Sequence, residues 1–325
     1  MMLPRGPSIL VCRRRFGVAG ADLDFEITVN RLTEWRSFMR SIVDVLKINR
    51  RSQKISVTVV INTDNRGVTI EKTLEGLRRQ TYPKFEVVVV TGPSAESTNV
   101  LLRRYAPHIK IARCPEAKIG VSRNIGVEVA TGDVVAFIDD DAVPDSSWLE
   151  RIVSGYQDPS VAAVGGHVFD VPLGRIEWRI CTCTRSGEAS TDAPLPAEIH
   201  LGKGADPFLY LAGCNMSFRR SVLMATGGFN ELFAYGYDDV EVCCRIVDSG
   251  QKIALLEDAI VNHDRASNST RDSGRVIRDI YPILFARIVF ALQCRSAATS
   301  IQSLVSVFED SARHWRTFAR HRLDE

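Results

Sequence analysis

Three consecutive carboxylates, Asp139-Asp140-Asp141, follow directly on the apolar run Val134-Val135-Ala136-Phe137-Ile138. Side chains alternate faces along a strand, so Asp139 and Asp141 point one way and Asp140 the other. Two hard oxygen ligands at a strand end suit Mg²⁺ or Mn²⁺ carrying a substrate phosphate. Read alone, the run also fits a solvated acidic loop. A second acidic pair, Asp238-Asp239, precedes Val240, Cys243, Cys244 and Val247, whose i, i+3, i+4, i+7 spacing marks a helix ended by Gly250. As plain helix-start residues the pair would cap that helix and complement its dipole. His263 follows the run Ala259–Asn262 and offers an imidazole, a ligand suited to Mn²⁺.

These residues need a frame that brings them together, and the pattern from Ser56 onward supplies one. An apolar strand from Ser56 to Ile61 opens into the loop Asn62-Thr63-Asp64-Asn65-Arg66-Gly67. Ile70, Leu74 and Leu77 mark a helix, Tyr82-Pro83-Lys84 a turn, and Glu86 to Val90 the next strand, which together make one βαβ unit. A second unit follows: a helix near Ser97–Tyr105, a short strand Ile109–Ala112, a helix around Ile119–Ala130 ended by Gly132, and the strand that carries Asp139. Near-continuous apolar strands between amphipathic helices call for an α/β fold with a mostly parallel, Rossmann-like sheet covered on both faces. Ligands of such sheets gather at the carboxyl ends of the strands.

Beyond the acidic run, Trp148 and Ile152 begin a helix, residues 185–206 read as a long loop, and strands are expected at Lys252–Leu256 and Ala259–Asn262. From Arg275 the chain reads as largely helical. Residues 1–52 read as an extension, with Leu32, Trp35, Phe38, Met39, Ile42, Val45 and Leu46 at helical spacing. The expected organisation is therefore an N-terminal extension over 1–53, a catalytic domain over 54–265 and a C-terminal helical region over 266–325.

The net charge of +2 conceals an asymmetry. Residues 1–54 hold eleven Lys/Arg against five Asp/Glu and residues 265–325 ten against six, so the span between them carries −8. An acidic middle with basic flanks suits a cation-dependent site whose ends touch an anionic membrane surface, and basic ends are equally compatible with solubility alone. The eight cysteines include no Cys-x-x-Cys pair, and Cys181-x-Cys183 and Cys243-Cys244 have the wrong spacing for a zinc knuckle. Cys243 and Cys244 fall on the apolar side of their helix and read as buried thiols, which suits a reducing, cytoplasmic setting. No apolar run is long enough to span a bilayer. The basic tail Arg313-His314-Trp315-Arg316 and Arg320-His321-Arg322 accompanies no nucleic-acid motif, so no nucleic-acid partner is expected.

No Gly-x-Gly-x-x-Gly and no P-loop follows the first strand, which removes the main support for dinucleotide and P-loop chemistry. Instead, Val59-Val60-Ile61-Asn62-Thr63-Asp64-Asn65-Arg66, Gln80-Thr81-Tyr82-Pro83, Ser122-Arg123-Asn124-Ile125-Gly126 and the triple Asp recur in a known order. Gly213-Cys214-Asn215-Met216-Ser217-Phe218, Gly227-Gly228-Phe229-Asn230-Glu231 and Gly236-Tyr237-Asp238-Asp239-Val240-Glu241 complete it. Over roughly residues 55–265 the chain resembles the family 2 glycosyltransferases, which have the GT-A fold. The resemblance implies inverting transfer of a sugar from a nucleotide-sugar donor to a hydroxyl of a glycan or lipid-linked acceptor. It implies a Mn²⁺ or Mg²⁺ ion on Asp139, Asp141 and His263, with Asp140 supporting them or contacting the donor's ribose or sugar. Asn62, Thr63, Asn65 and Arg66 form the nucleotide loop, Arg123 and Asn124 belong to the donor-contacting segment, and Asp238-Asp239 holds the catalytic base, for which Asp239 is favoured. Where the family commonly has a base-contacting Asp after the second strand, this chain has Val90-Thr91-Gly92-Pro93-Ser94, so Thr91 or Ser94 takes that place. Arg271, Arg275 and Arg278 are further candidates for a phosphate clamp. The apolar segment 279–292 resembles the helix that closes the acceptor side or approaches a membrane in many members, which would leave the protein peripheral on the inner face of the plasma membrane.

Two other readings compete. A nucleotidyltransferase would want a Gly-rich loop and a phosphate-binding Lys near the first strand, and Asn62–Gly67 has neither. A catalytically inactive nucleotide-sugar or glycan-binding module is opposed by the intact Asp139, Asp141, Asp239 and His263.

Overall fold

A computed structural model of the chain describes residues 10–18, 21–29, 54–194, 202–267, 272, 277–294 and 301–323. The chain divides into two compact units, Met1–Lys54 and Ile55–Glu325. In the first, β1 (Leu10–Val18) and β2 (Ala21–Val29) form an antiparallel hairpin, which the sequence reading did not anticipate. The helix expected over Leu32–Leu46 lies outside the described residues, as do Arg271 and Arg275.

The second unit is built on one large sheet. β3 (Val57–Thr63), β4 (Phe85–Thr91), β5 (Lys110–Arg113) and β6 (Val134–Asp139) run parallel in the order β5-β4-β3-β6. They are joined by α1 (Gly67–Arg78), α2 (Glu96–Leu102) and α3 (Ile119–Val129), so the two expected βαβ units are present. Their alternation builds a layer on each face: Val60, Val88, Val90 and Phe137 enter one apolar cluster and Val59, Ile61, Val89 and Ile138 the other.

Past Asp139 the sheet becomes mixed. After β7 (Ala142–Pro144), α4 (Trp148–Ser154) leads into the long strand β8 (Val161–Asp170). β9 (Arg175–Trp178) folds back on β8, and β10 (Thr182–Cys183), β11 (Ala189–Ser190) and β12 (Phe208–Leu209) make a small separate sheet, of which β11 lies inside the loop expected over 185–206 and the other two strands flank it. β13 (Met216–Arg219) then inserts antiparallel between β6 and β8. After α5 (Arg220–Ala225) and α6 (Asp238–Asp248), β14 (Lys252–His263) runs parallel to β8 and antiparallel to β7. The two strands expected near the end are thus one, with its register shifted between Leu256 and Val261.

β8 went unread because Gly165-Gly166 interrupts its apolar run, and glycine weakens a strand pattern. The structure gives both glycines a reason. A Cβ on Gly165 would lie 2.6 Å from Asn215 O, and one on Gly166 only 1.9 Å from Ala259 O. Bare backbone is what lets β8 lie between its neighbours. Asn215 is wholly buried at the same junction: it accepts from Trp148 Nε1 (2.8 Å) and donates to His167 O (2.9 Å) and Ala259 O (2.8 Å). Those bonds tie α4, β8 and β14 to the segment that carries Cys214.

The C-terminal helices are α7 (Tyr281–Gln293) and α8 (Ile301–Leu323). α7 buries Ala286, Phe290 and Ala291, and Phe290 lies against Phe208 and Tyr237. Arg287 pairs with Asp310 of α8 at 2.5 Å. Among the described residues no helix is long and apolar enough to cross a membrane.

Candidate active site

The carboxyl ends of β3 and β6, the start of α6 and the end of β14 surround a cavity of about 500 Å³, lined by Asp139, Asp141, Cys214, Asp239 and His263 among others. A neighbouring cavity of about 460 Å³ is lined by Asn62, Thr63, Asn65, Arg66 and Asp140. Asp139 borders both. Asp140 lines the second cavity and Asp141 the first, both from the turn just past β6.

Within the acidic run the three carboxylates have unequal freedom. Asp141 is buried and both its oxygens are engaged: Oδ1 lies 3.1 Å from His263 Nε2, and Oδ2 accepts from Arg66 Nη1 at 3.1 Å and Ala266 N at 2.7 Å. Burial pushes its carboxyl upward, but His263 and Arg66 outweigh that and hold it at about 2. Asp140 is also buried and accepts from Thr63 Oγ1 at 2.6 Å and Arg66 Nη1 at 2.9 Å. Burial dominates there, lifting its pKa to about 7 against the pull of Arg66. Asp139 keeps 41 % of its side chain exposed, with its Oδ2 3.9 Å from His263 Nε2. It is the open member of the run.

His263 is nearly enclosed, with Nε2 toward Asp141, Nδ1 3.9 Å from Cys214 Sγ, and the Trp178 ring 5.9 Å away centre to centre. Burial opposes a charge on the ring, while Cys214 and the Asp141 carboxylate raise its pKa to about 11. Arg265 lies over the Trp178 ring, at 5.2 Å, and pairs with Glu177.

The acidic pair at α6 shows the same inequality. Asp238 is buried and forms an ion pair with Arg123, which also donates to Gly213 O at 3.2 Å. The Arg123 guanidinium lies over the rings of Phe137 and Phe229, at 5.8 and 5.4 Å. Asp239 is partly exposed to the cavity, accepting Gly213 N–H on Oδ2 and Val240 N–H on Oδ1, each at 2.9 Å. Burial raises its pKa, opposed by Arg123 and those backbone donors. The helix opens on Tyr237, whose left-handed φ of 60° follows Gly236 at 76°. Asn65 and Arg265, at φ 57° and 52°, are the other non-glycine residues with positive φ among those described. All three line these cavities, and backbone strain of roughly 1–3 kcal/mol each is typical of sites that must aim a side chain.

Several expected roles change on inspection. Asp238 is not placed to exchange a proton with substrate, because Arg123 occupies it. Arg123 in turn is a buried clamp joining α3 to α6, although it borders the cavity. Asn124 bonds Phe229 through both backbone groups (2.8 and 2.9 Å) and Glu231 at 3.0 Å, so it holds the 228–231 turn and has no hand free for a nucleotide. Thr91 is buried, with its hydroxyl on Ala112 O, and does not line the nucleotide-side cavity. The space above Gly92 is filled by Asp64, whose Oδ1 accepts Ser94 N–H at 2.9 Å. Asn62 bonds Ser122 Oγ at 2.6 Å, and Asn65 accepts from Ser97. Arg278, more than half exposed, lies 3.9 Å from Asp272 and does not line the main cavity. Cys214, Trp178, Tyr210 and Tyr235 line that cavity without having been singled out. Cys214 alone carried a signal, since it lies inside the Gly213–Phe218 motif.

The chain belongs to glycosyl transferase family 2: the family's sequence model matches residues 58–227. It is a glycosyltransferase with the GT-A fold. It is 27 % identical over 247 residues to the glucosyl-dolichyl phosphate glucuronosyltransferase of Haloferax volcanii, covering 70 % of this chain and 74 % of that protein. Among solved structures, the mannosyltransferase PcManGT from Pyrobaculum calidifontis, in complex with GDP-Man and Mn²⁺, superimposes with a TM-score of 0.50 at 22 % identity, over 82 % of this chain and 84 % of that one. S. aureus TarS 1-349 in complex with UDP-GlcNAc gives 0.56 at 15 % identity, over 79 % and 72 %.

Proposed function

We propose that the chain is a metal-dependent, inverting transferase that moves a sugar from a nucleoside-diphosphate donor to a hydroxyl of a glycan or lipid-linked acceptor. The observation that carries this reading is the meeting of Asp139, His263 and Asp239 in one cavity, from three different elements. Inversion in a single displacement needs an acceptor-side base facing a diphosphate-side cation site, and these residues are of the right types for both.

The donor set fits a divalent cation. Asp139 is an open carboxylate and His263 an imidazole whose Nε2 lies 3.9 Å from Asp139 Oδ2 and 3.1 Å from Asp141 Oδ1. Bound there, a divalent cation would neutralise the negative charge that grows on the diphosphate as it leaves. Arg66, held between Asp140 and Asp141, supplies a fixed positive charge on the nucleotide side. Asn62, Thr63 and Asn65 shape the wall where the nucleoside would lie. Asp239 takes the proton from the acceptor hydroxyl, and its raised pKa makes it a stronger base than an ordinary aspartate. Gly213 N–H and the α6 start hold it in place while Asp238 and Arg123 anchor the helix.

The relatives' printed names support an acceptor on a lipid-linked or envelope glycan. Among them are the dolichyl-phosphate enzyme of Haloferax volcanii and the O-antigen chain rhamnosyltransferase RfbN of Salmonella typhimurium. The C-terminal helices belong to this reading as a region of their own after the catalytic domain, since Ile283 of α7 reaches the cavity wall. Tyr281, Phe285, Phe308 and Trp315 stay exposed on α7 and α8 and would serve a peripheral contact with a membrane surface.

A panel of nucleotide sugars, with Mn²⁺ present or removed by chelation, tests the proposal through nucleoside diphosphate release and thermal shift. At least one donor is expected to stabilise the protein and to be consumed only with metal, giving a product of inverted anomeric configuration. If no nucleotide sugar shifts the unfolding temperature at any metal concentration, the reading is wrong.

A further inference from the structure

We infer that Cys214 is a metal ligand, so that the strand-end site binds thiophilic divalent cations of the zinc, cadmium and cobalt class through Asp139, Cys214 and His263. The inference rests on the cation site proposed above and names its third donor. Asp141, the expected donor, has both oxygens taken by His263, Arg66 and the Ala266 amide. Using it would break contacts that hold three segments in place. Cys214 is buried against the apolar core, and the polar neighbour of its Sγ is His263 Nδ1 at 3.9 Å.

The distances are close to what a small ion needs. One donor atom from each of Asp139, Cys214 and His263 lies within 4.8 Å of the other two. Zinc bound tetrahedrally at its usual bond lengths holds N, O and S ligands roughly 3.4–3.6 Å apart, so closure asks for shifts of about 1 Å. Asp139 is the exposed member and supplies that movement, while Cys214 and His263 are pinned in the wall by Asn215 on one side and Trp178 on the other. The open side is the cavity, which leaves a position for a phosphate oxygen or water. On binding, the Cys214 S–H proton and a ring proton of His263 pass to solvent as the S–metal and N–metal bonds form. A thiolate in the set favours soft and borderline ions over Mg²⁺, which prefers all-oxygen octahedra.

Titration of the full chain with Co²⁺ and with Cd²⁺ as probes, followed by ultraviolet absorption, reads the sulfur–metal bond directly. Wild-type protein is expected to develop a thiolate-to-metal charge-transfer band that saturates with one ion bound. Cys214→Ser should lose the band and bind Cd²⁺ about 10–100-fold more weakly, the scale seen even for outer-shell partners. Its Mg²⁺ affinity should stay within severalfold. Asp139→Asn retains every thiol and should weaken the same band, which guards against a folding defect in the serine variant, itself checked by circular dichroism. A band that persists in Cys214→Ser, coming from another cysteine, overturns the inference. So does saturation of wild type by Co²⁺ with no band. Donor turnover with Mn²⁺ but no thiolate band removes Cys214 and leaves the transfer reading intact. A thiolate band without turnover of any donor does the reverse.

Discussion

The two acidic runs of this site, Asp139–Asp141 at the end of β6 and Asp238-Asp239 at the start of α6, divide their work in the same way. In each, the buried carboxylates hold the architecture and a neighbour is left facing the cavity. Asp141 and Asp140 pair with Arg66, and Asp139 stays open. Asp238 pairs with Arg123, and Asp239 stays open. The two runs differ in how that division arises. At β6 it follows from one arginine, Arg66, reaching across from the β3 loop to both Asp140 and Asp141, which lie in the turn just past the strand. At α6, which opens on the left-handed Tyr237, successive helix residues point apart, so Asp238 meets Arg123 of α3 while Asp239 meets the Gly213 amide. Adjacent acids in a catalytic motif are thus not interchangeable: one builds the place where the other acts.

Exchanging roles within a run is the sharpest way to break this comparison. Asp239→Asn should lower transfer by ~10²–10⁴-fold, the usual weight of a general base, while stability moves by no more than about 0.5 kcal/mol. In wild type, the acid limb of the rate profile should lie above the ordinary aspartate value of about 3.9, because burial raises the Asp239 pKa and a base works only when deprotonated. Asp238→Ala should do the opposite. It strands the buried Arg123 charge and should cost about 3–5 kcal/mol in urea unfolding. Should Asp239→Asn unfold the protein and Asp238→Ala spare it, the division of roles is reversed.

At the other run the contrast is expected to be milder. Asp141→Asn frees His263 from its orienting carboxylate and should weaken Mn²⁺ binding by ~10–100-fold, read by electron paramagnetic resonance on the free ion. The smallest effect belongs to a carboxylate outside both runs. Glu86, at the start of β4, accepts from Thr58 Oγ1 (2.7 Å), from the Thr131 amide and hydroxyl (2.8 Å each) and pairs with Lys110 at 2.8 Å. Burial works against its charge, but these partners lower its pKa from 4.5 to about 2. Its stabilisation is therefore fully present above about pH 4.5 and lost as pH falls towards 2. Allowing for its partial exposure, Glu86→Gln should remove about 1–2 kcal/mol at neutral pH and flatten the acid limb of stability, without touching transfer.

What the sequence disclosed follows the same physical line. Local pattern sufficed where structure is locally determined: the apolar strands β3, β4 and β6, the helix α6 with its i, i+4 stripe, and the strand-end carboxylates. It failed where a long-range partner decides. β8 was hidden by Gly165-Gly166, whose purpose appears only when β13 and β14 press against them. The family resemblance placed Asn124, Thr91 and Arg123 at the donor, yet each proves engaged by backbone or by Asp238 from a distant segment. Asp64 went unremarked because nothing in its own neighbourhood says that Gly92 leaves room for it. Polar residues advertise chemistry, but only the fold shows which of them remain unsatisfied.

The central claim is that Asp239 acts and Asp238 supports. It is tested most directly by the rate of nucleoside diphosphate release from Asp239→Asn, at a donor concentration where its thermal shift equals that of wild type. The expected result is unchanged donor stabilisation with release slowed by ~10²-fold or more. Release within severalfold of wild type would contradict it.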